Sequence, residues 1–218
     1  MIKADLHVHT KHSADSYMSY QQLINACQSK GVNCIAVADH GTTLGAREIS
    51  KIAPFKVIIC EEVRTPYGEI MGMFLQEDIP DKIPVDEAIK HIRDQGGLIC
   101  IPHPYDRVRP SAFRDGKMLE EVVDRVDIIE VFNARSLFPG AERKALSLAR
   151  RHGKLISYGS DGHSPSEIGY AYAEMPDFNS PQEFLISLAG ATFHGRKSSP
   201  LIHLITTTAR MGKRIRRG

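Results

Sequence analysis

Ile2-Lys3-Ala4-Asp5-Leu6-His7-Val8-His9-Thr10 places a short apolar run directly ahead of two histidines. The run 2–6 reads as a β-strand. Its two-residue side-chain period points His7 and His9 to the same side, where two imidazoles can share one ion. A lone HxH pair has an ordinary alternative, two buried histidines satisfied by their neighbours. The position at a strand end favours the ligand reading, and the same arrangement recurs down the chain.

Outward from this stretch, further apolar runs lie at 33–38, 55–60, 98–101, 126–132 and 155–158, with a less regular one at 189–193. Helical patterns separate them at 19–30, 43–52, 85–95, 118–125, 139–152 and around 181–188. Ser19 with Gln22 resembles a capping box, and Gly31 and Gly153 stand where helix-ending glycines belong. The alternation predicts βα units that build a parallel sheet or barrel. Segment 64–79 departs from it: Tyr67-Gly68-Glu69 reads as a hairpin turn into the apolar stretch 70–75, an inserted antiparallel piece. The Arg-, Pro- and Ser-rich stretch 104–116 is expected to form a long active-site loop.

Nearly every apolar run is followed at once by histidine, aspartate or glutamate. The second leads into Asp39-His40-Gly41-Thr42, the third into Glu61-Glu62-Val63-Arg64, the fourth into Pro102-His103-Pro104, and the run at 155–158 into Ser160-Asp161-Gly162-His163. In a barrel these ends share the C-terminal mouth, where loops converge and catalytic groups gather from several strands. A single His40 or His103 would more often be a core histidine. Repetition over five runs points instead to a metal site with mixed imidazole and carboxylate ligands, a set suited to zinc, manganese or iron.

Bulk properties agree with one enzyme-sized domain over 1–218. The 218 residues are 42% apolar and 25% charged, which suggests neither disorder nor a membrane class. Cys27, Cys34, Cys60 and Cys100 form no CxxC pair and read as reduced core thiols. The stretch from Met1 to Asp5 carries no apolar signal region and no run is long enough to span a bilayer, so a cytoplasmic, membrane-free protein is expected. A net charge of +2 does not call for a polyanion partner. The tail, about 201–218, is locally basic through Arg210, Lys213, Arg214, Arg216 and Arg217; it reads as a solvated end able to add weak attraction to nucleic acid.

Asp5-Leu6-His7-Val8-His9-Thr10, Asp39-His40-Gly41-Thr42, Glu62 in its strand-end turn, Pro102-His103-Pro104 and Ser160-Asp161-Gly162-His163 together resemble the motif series of the PHP (polymerase and histidinol phosphatase) family. The resemblance covers roughly residues 1–195, and the combination is far more specific than any one motif. It implies an α/β fold, a distorted seven-stranded (β/α) barrel, TIM-like, with two or three divalent transition-metal ions (zinc, manganese or iron) at the C-terminal mouth. By position, His7, His9, Glu62 and Asp161 would hold a first ion. Glu62 would bridge to a second, also bound by His103, and Asp15, His40 and His163 would hold a third. His12 competes with Asp15, and Glu61 with Glu62. Where the family often places a further histidine in the hairpin region, the nearest candidate in this chain is Glu69, so the second ion would be weakly held or bound through Glu69, which reads at least equally as a solvated turn residue.

Such ions suit phosphate-ester hydrolysis, with a metal-bridging hydroxide held through Glu62 as nucleophile. Phosphate recognition needs cationic forks, and Arg107, Arg109 and Arg135 follow strand ends where they can face the mouth, with Arg64 a weaker candidate. His40 or His163, with its ion absent, would be able to protonate the leaving group. His91, His152, His194 and His203 are read as surface or structural. The expected function is a phosphoesterase for a small phosphorylated metabolite or nucleotide. Two alternatives stand beside it, an exonuclease acting on oligonucleotide ends and a catalytically weak metal-binding regulatory module. A hydrolase of C–N bonds fits less well with the mouth arginines.

Overall fold

A computed structural model describes residues 1–113, 115–137, 139–199 and 202. The basic part of the tail and His203 lie outside the described residues.

Among the described residues, nine strands form one sheet: β1 (Ile2–Val8), β2 (Cys34–His40), β3 (Lys56–Arg64), β4 (Glu69–Met73), β5 (Leu98–Ile101), β6 (Ile128–Asn133), β7 (Leu155–Gly159), β8 (Ala171–Met175) and β9 (Thr192–Gly195). Their order is β7-β6-β5-β4-β3-β2-β1-β8-β9. The helices are α1 (Tyr20–Ser29), α2 (Leu44–Ser50), α3 (Val85–Asp94), α4 (Gly116–Val122), α5 (Pro139–Arg151) and α6 (Pro181–Ala189). The capping box of α1 forms: Ser19 Oγ accepts from the Gln22 N–H, and Gln22 Oε1 accepts from the Ser19 N–H at 2.9 Å.

Neighbours β1–β2, β2–β3, β5–β6 and β6–β7 pair in parallel. β4 runs antiparallel between β3 and β5, the inserted hairpin piece expected from Tyr67-Gly68-Glu69. The sheet curls until its β7 end meets β1, through a parallel bridge between Val8 and Gly162 and through the Asp161 N–H donating to the His7 carbonyl at 2.7 Å. The result is a nearly closed barrel. Its nine strands exceed the seven that the family resemblance implies. The reason is local: β7 reaches β1 only at its C-terminal end, which leaves Ile2, Lys3 and Ala4 to pair antiparallel with β8. The run expected at 189–193 is realised as β9, beginning three residues later and ending two later, at the outer edge of β8.

Side-chain alternation sorts the core into two layers. Inside the barrel lie small or thin residues, Ala36 and Ala38 on β2, Ile58 and Cys60 on β3, Met71 and Met73 on β4, Cys100 on β5 and Ile128 on β6. The rings of Phe178 and Phe184 pack 5.0 Å apart in the same cluster, and the latter stands on α6. Outward residues such as Ile35 and Val37 pack beneath Leu23 and Ile49 of α1 and α2, while Ile99, Ile129 and Val131 pack beneath Ile92 and Leu148 of α3 and α5. Each such side chain contributes roughly 1.5–3 kcal/mol by leaving water. All four cysteines are buried and free of disulfides.

Candidate metal centre

The inward rows that fill the barrel end, at its C-terminal mouth, in polar residues. On β2 the row Ala36, Ala38 continues to His40; on β3 Ile58, Cys60 continues to Glu62; on β4 Met73, Met71 continues to Glu69; on β6 Ile128 continues to Glu130. His7 and His9 come from the end of β1, where a register shift between Asp5 and Val8 lets the strand turn both imidazoles inward. His103 follows β5 with φ +32°, and Asp161 follows β7 with φ +53°. These left-handed positions aim each side chain back over the mouth at some cost in backbone strain.

Glu62 sits at the centre. Its Oε1 lies 3.2 Å from His7 Nε2 and 3.1 Å from His103 Nε2, while Oε2 lies 3.1 Å from His40 Nδ1 and 3.4 Å from His9 Nε2. Asp161 Oδ1 stands 3.2 Å from His9 Nε2 and 3.4 Å from His163 Nδ1. Asp15 Oδ1 lies 3.1 Å from His163 Nε2 and 3.7 Å from His40 Nε2. Only His40 among them has appreciable exposure, its side chain at 15%.

A second set of contacts orients the imidazoles. Glu130 Oε1 takes His7 Nδ1 at 3.0 Å, Ser13 Oγ meets His9 Nδ1 at 2.9 Å, and the Asp161 carbonyl takes His163 Nδ1 at 2.7 Å. Each ring is thereby fixed with Nε2 toward the cluster, the arrangement metal-binding histidines adopt. Ser13 is held in turn by Asp39, whose Oδ1 accepts from Ser13 Oγ at 2.7 Å and from the Thr10 N–H at 2.7 Å. Asp161 Oδ2 is engaged by Arg109 and by Asn133 Nδ2, leaving Oδ1 toward the imidazoles.

The cluster is electrostatically unfinished. Burial favours neutral His7, yet Glu62, Glu130 and Asp161 raise its pKa well above the usual imidazole value. Burial likewise works against charged His40, and Glu69 and Glu62 overcome it. Burial opposes ionisation of Glu62, and His7 and His40 nevertheless hold it well below the carboxylate range; for Asp161 the same reversal comes from Arg109 and then His7. His9 goes the other way, down to about 3, because it is buried and faces His163. The carboxylates thus draw protons onto His7 and His40, a charge that divalent ions would supply in their place.

Orphaned atoms make the fit to metal specific. Among the described residues, His40 Nδ1, Glu62 Oε2, Glu69 Oε2, Asp161 Oδ1 and His163 Nε2 are buried and find no hydrogen-bond partner. Buried polar atoms without partners are rare, and an ion is one of the standard reasons for them. Three overlapping groups bring ligand atoms within 4.8 Å of one another: His9, His40 and His163; His7, His9 and Glu62; His40, Glu62 and Glu69. Imidazole and carboxylate donors in this proportion suit first-row transition ions. A cavity of about 620 Å³ opens beside them, lined by Asp15, His40, Glu69, Arg64, Pro110 and Ser111 among others.

The competing candidates separate in space. His12 turns away, its Nε2 2.7 Å from the Tyr20 hydroxyl, while Asp15 reaches the cluster. Glu61 points outward and accepts from the Ile79 N–H at 2.9 Å, and burial lifts its pKa to about 8. Glu69 is buried among the imidazoles and is no solvated turn residue. Arg109 is three-quarters or more enclosed beside Asp161 and Asp106; burial pulls its pKa down, and the two carboxylates raise it above its ordinary value. Arg107 is exposed on the loop after β5. Arg135 is buried, with Nε 3.3 Å from Glu167 Oε1. Arg64 pairs with Asp81. Outside the cluster, His91 is exposed, His152 contacts Asp124 and Glu120, and His194 contacts Glu174.

Glu130 and Ser13 were not singled out by sequence reasoning. A signal existed for Glu130, a charged residue in the middle of the apolar run 126–132, where a solvated role is excluded. Ser13 carries none, since its role depends on the loop that Asp39 fastens.

The sequence pattern of the PHP domain matches residues 5–79, and a second, described as PHP-associated, matches residues 139–192. Over 194 residues the chain is 35% identical to the uncharacterized protein MJ0417 of Methanocaldococcus jannaschii, covering 84% of this chain and 78% of that one. Among solved structures it resembles a two-domain protein from Bacteroides vulgatus containing a predicted PHP-like metal-dependent phosphoesterase, with a TM-score of 0.70 and 17% identity. That alignment covers 89% of this chain but only 65% of the two-domain protein. It also resembles an amidohydrolase from Chromobacterium violaceum with bound sulfate and no metal, at a TM-score of 0.65 and 17% identity over 87% of this chain and 97% of the other.

Proposed function

The chain belongs to the PHP domain family, and from that premise we propose that it is a metal-dependent phosphoesterase acting on a small phosphorylated metabolite or nucleotide. The observation that carries this reading is the convergence of His7, His9, His40, His103 and His163 with Asp15, Glu62 and Asp161 at the barrel mouth, next to an open cavity. In this reading His7, His9, Glu62 and Asp161 would hold one ion, Glu62 and His103 a second, and Asp15, His40 and His163 a third. Divalent ions in such a centre neutralise phosphate oxygens and supply a nucleophile at neutral pH.

The chain's own residues do the rest. Arg109, fixed beside Asp161 at the mouth, and Arg64, on the cavity wall and paired with Asp81, add positive charge that would favour a phosphate group entering the cavity. Arg107 adds positive charge at the rim. Arg135, engaged by Glu167, acts by positioning rather than by contact with substrate. With the third ion absent, His40, on the cavity wall and the most exposed imidazole of the cluster, would stand where a leaving-group oxygen could take a proton, and His163 is its alternate. These arginines favour a phosphate ester over the amide substrate suggested by the amidohydrolase of shared fold.

The test is a screen of phosphomonoesters, nucleotides and short oligonucleotides with manganese, zinc and iron supplied in turn. Turnover of a phosphomonoester or nucleotide, lost in His103→Ala with the fold retained, is the expected result. Metal bound without hydrolysis of any ester would favour a regulatory module, and preference for oligonucleotide ends would favour an exonuclease.

A further inference from the structure

Glu69 opens β4, and its side chain belongs to the inward row that continues through Met71 and Met73 in the barrel interior. Register confirms the face: Met71 lies opposite Glu62 across the antiparallel pair, so Glu69 is the diagonal neighbour of Glu62 on the same side. The turn before it is locked. Thr65 Oγ1 donates to the Gly68 carbonyl at 2.6 Å, the Glu69 N–H donates to the Ser111 carbonyl at 2.8 Å, and Gly68, at φ +157°, packs so tightly on Phe113 that a Cβ would stand 2.6 Å from the ring. The backbone that carries the carboxylate is thereby held against the 111–113 segment.

Among the described residues, no lysine or arginine pairs with Glu69. Arg64, its cross-strand partner, gives its guanidinium to Asp81 instead. What faces the Glu69 carboxylate is imidazole: Oε1 lies 3.2 Å from His40 Nδ1, and Oε2 lies 3.7 Å from His103 Nε2 and makes no hydrogen bond among the described residues. With only 2% of its surface exposed, an ionised carboxylate here is costly unless a cation completes it.

We infer that Glu69 is a metal ligand of this centre, completing the position formed by Glu62 and His103, and that it tilts this position toward manganese relative to zinc. This rests on the metal-centre reading above. A position with two carboxylates and one imidazole is harder and carries more negative charge than one with a single carboxylate and two imidazoles. Oxygen donors favour manganese, and imidazole suits zinc. Exchanging Glu69 for histidine should therefore change which ion is retained while the number of ions stays the same.

The experiment strips wild type, Glu69→Ala and Glu69→His with chelator, reloads each in an equimolar manganese and zinc mixture, and counts ions per chain by elemental analysis. Manganese affinity is read separately by electron paramagnetic resonance, and the fold by near-ultraviolet circular dichroism. Glu69→Ala should lose one ion per chain or bind it at least about tenfold more weakly. Glu69→His should regain the full count with its zinc-to-manganese ratio raised about tenfold or more; it keeps the inference testable should the alanine variant fail to fold. Wild-type loading and manganese affinity in Glu69→Ala, or an unchanged ratio in Glu69→His, would overturn the assignment of Glu69 alone. Absence of any ion uptake by the wild type would overturn the metal centre with it.

Discussion

Glu130 Oε1 lies 3.0 Å from His7 Nδ1, joining β6 to β1 across 123 positions of sequence. The other oxygen accepts from the His103 N–H at 2.7 Å and from Asn133 Nδ2 at 3.0 Å. One buried carboxylate thus sets the tautomer of one candidate ligand and the backbone of another. Glu130→Gln keeps the shape but presents an amide in place of one acceptor oxygen, so it should weaken metal binding by roughly 10–100-fold, as outer partners of ligating histidines do. Metal titration of the chelator-stripped protein checks this, and wild-type affinity in the variant would remove Glu130 from the centre.

Gly159 ends β7 between these same two residues. A Cβ there would lie 2.4 Å from Glu130 Oε1 and 2.4 Å from His7 Cβ, the second of which is anchored to the β1 backbone. Gly159→Ala is therefore expected to destabilise by about 1–3 kcal/mol through overpacking and to lower metal occupancy with it. Urea unfolding with and without metal measures both, and an alanine variant as stable as wild type would show that β1 and β7 can separate freely.

Several candidate ligands were legible because they follow apolar runs at once: His40 after Ala38 and Glu62 after Cys60 end inward-facing rows, and His103 comes directly after the Leu98–Ile101 strand. Strand periodicity and chain direction account for His40 and Glu62, whereas the register shift that turns His7 and His9 inward and the left-handed backbone at His103 and Asp161 are not readable from periodicity. Long-range partners were less legible. Glu130 reads as part of an ordinary strand until its 123-residue link to His7 is known, and the choice between Asp15 and His12 depends on Tyr20 capturing the histidine. The strand β8 escaped notice because Ala171-Tyr172-Ala173-Glu174-Met175 is short and mild in hydropathy; what makes it a strand is the open N-terminal half of β1. Glu69 was ambiguous for the same reason, since a residue beside a turn glycine is buried or solvated according to what packs on the turn, here Phe113.

Surface charge offers a pH-dependent prediction away from the metal centre. His152 sits between Asp124, at 2.8 Å from Nδ1, and Glu120, at 2.8 Å from Nε2, and these hydrogen bonds, Asp124 first, raise its pKa above the ordinary value. A group with a raised folded-state pKa stabilises fully below its unfolded pKa of about 6.5 and loses that contribution as pH rises through the folded value. Wild type should accordingly exceed His152→Ala in Tm by a small margin at pH 5–6, shrinking toward alkaline pH and with added salt. A difference that holds constant from pH 5 to 9 would mean packing, not charge, sets the contribution of His152.

Arg135 and Glu167 form a buried pair, with side chains 4% and 1% exposed and Nε 3.3 Å from Oε1. Glu167 also accepts from the His163 N–H at 3.1 Å and from Ser164 Oγ at 2.8 Å, so the pair shapes the loop that carries a candidate ligand. Removing one partner of such a pair leaves a buried charge and should cost about 3–5 kcal/mol, whereas replacing both with apolar residues of similar volume should cost far less. Arg135→Met and Glu167→Leu are thus each expected to be strongly destabilising, and the double variant to recover much of the loss in a denaturant-based cycle. A substrate-contacting arginine would behave differently: Arg135→Met would raise KM while leaving unfolding midpoints near wild type, and that outcome would return Arg135 to the phosphate-binding set.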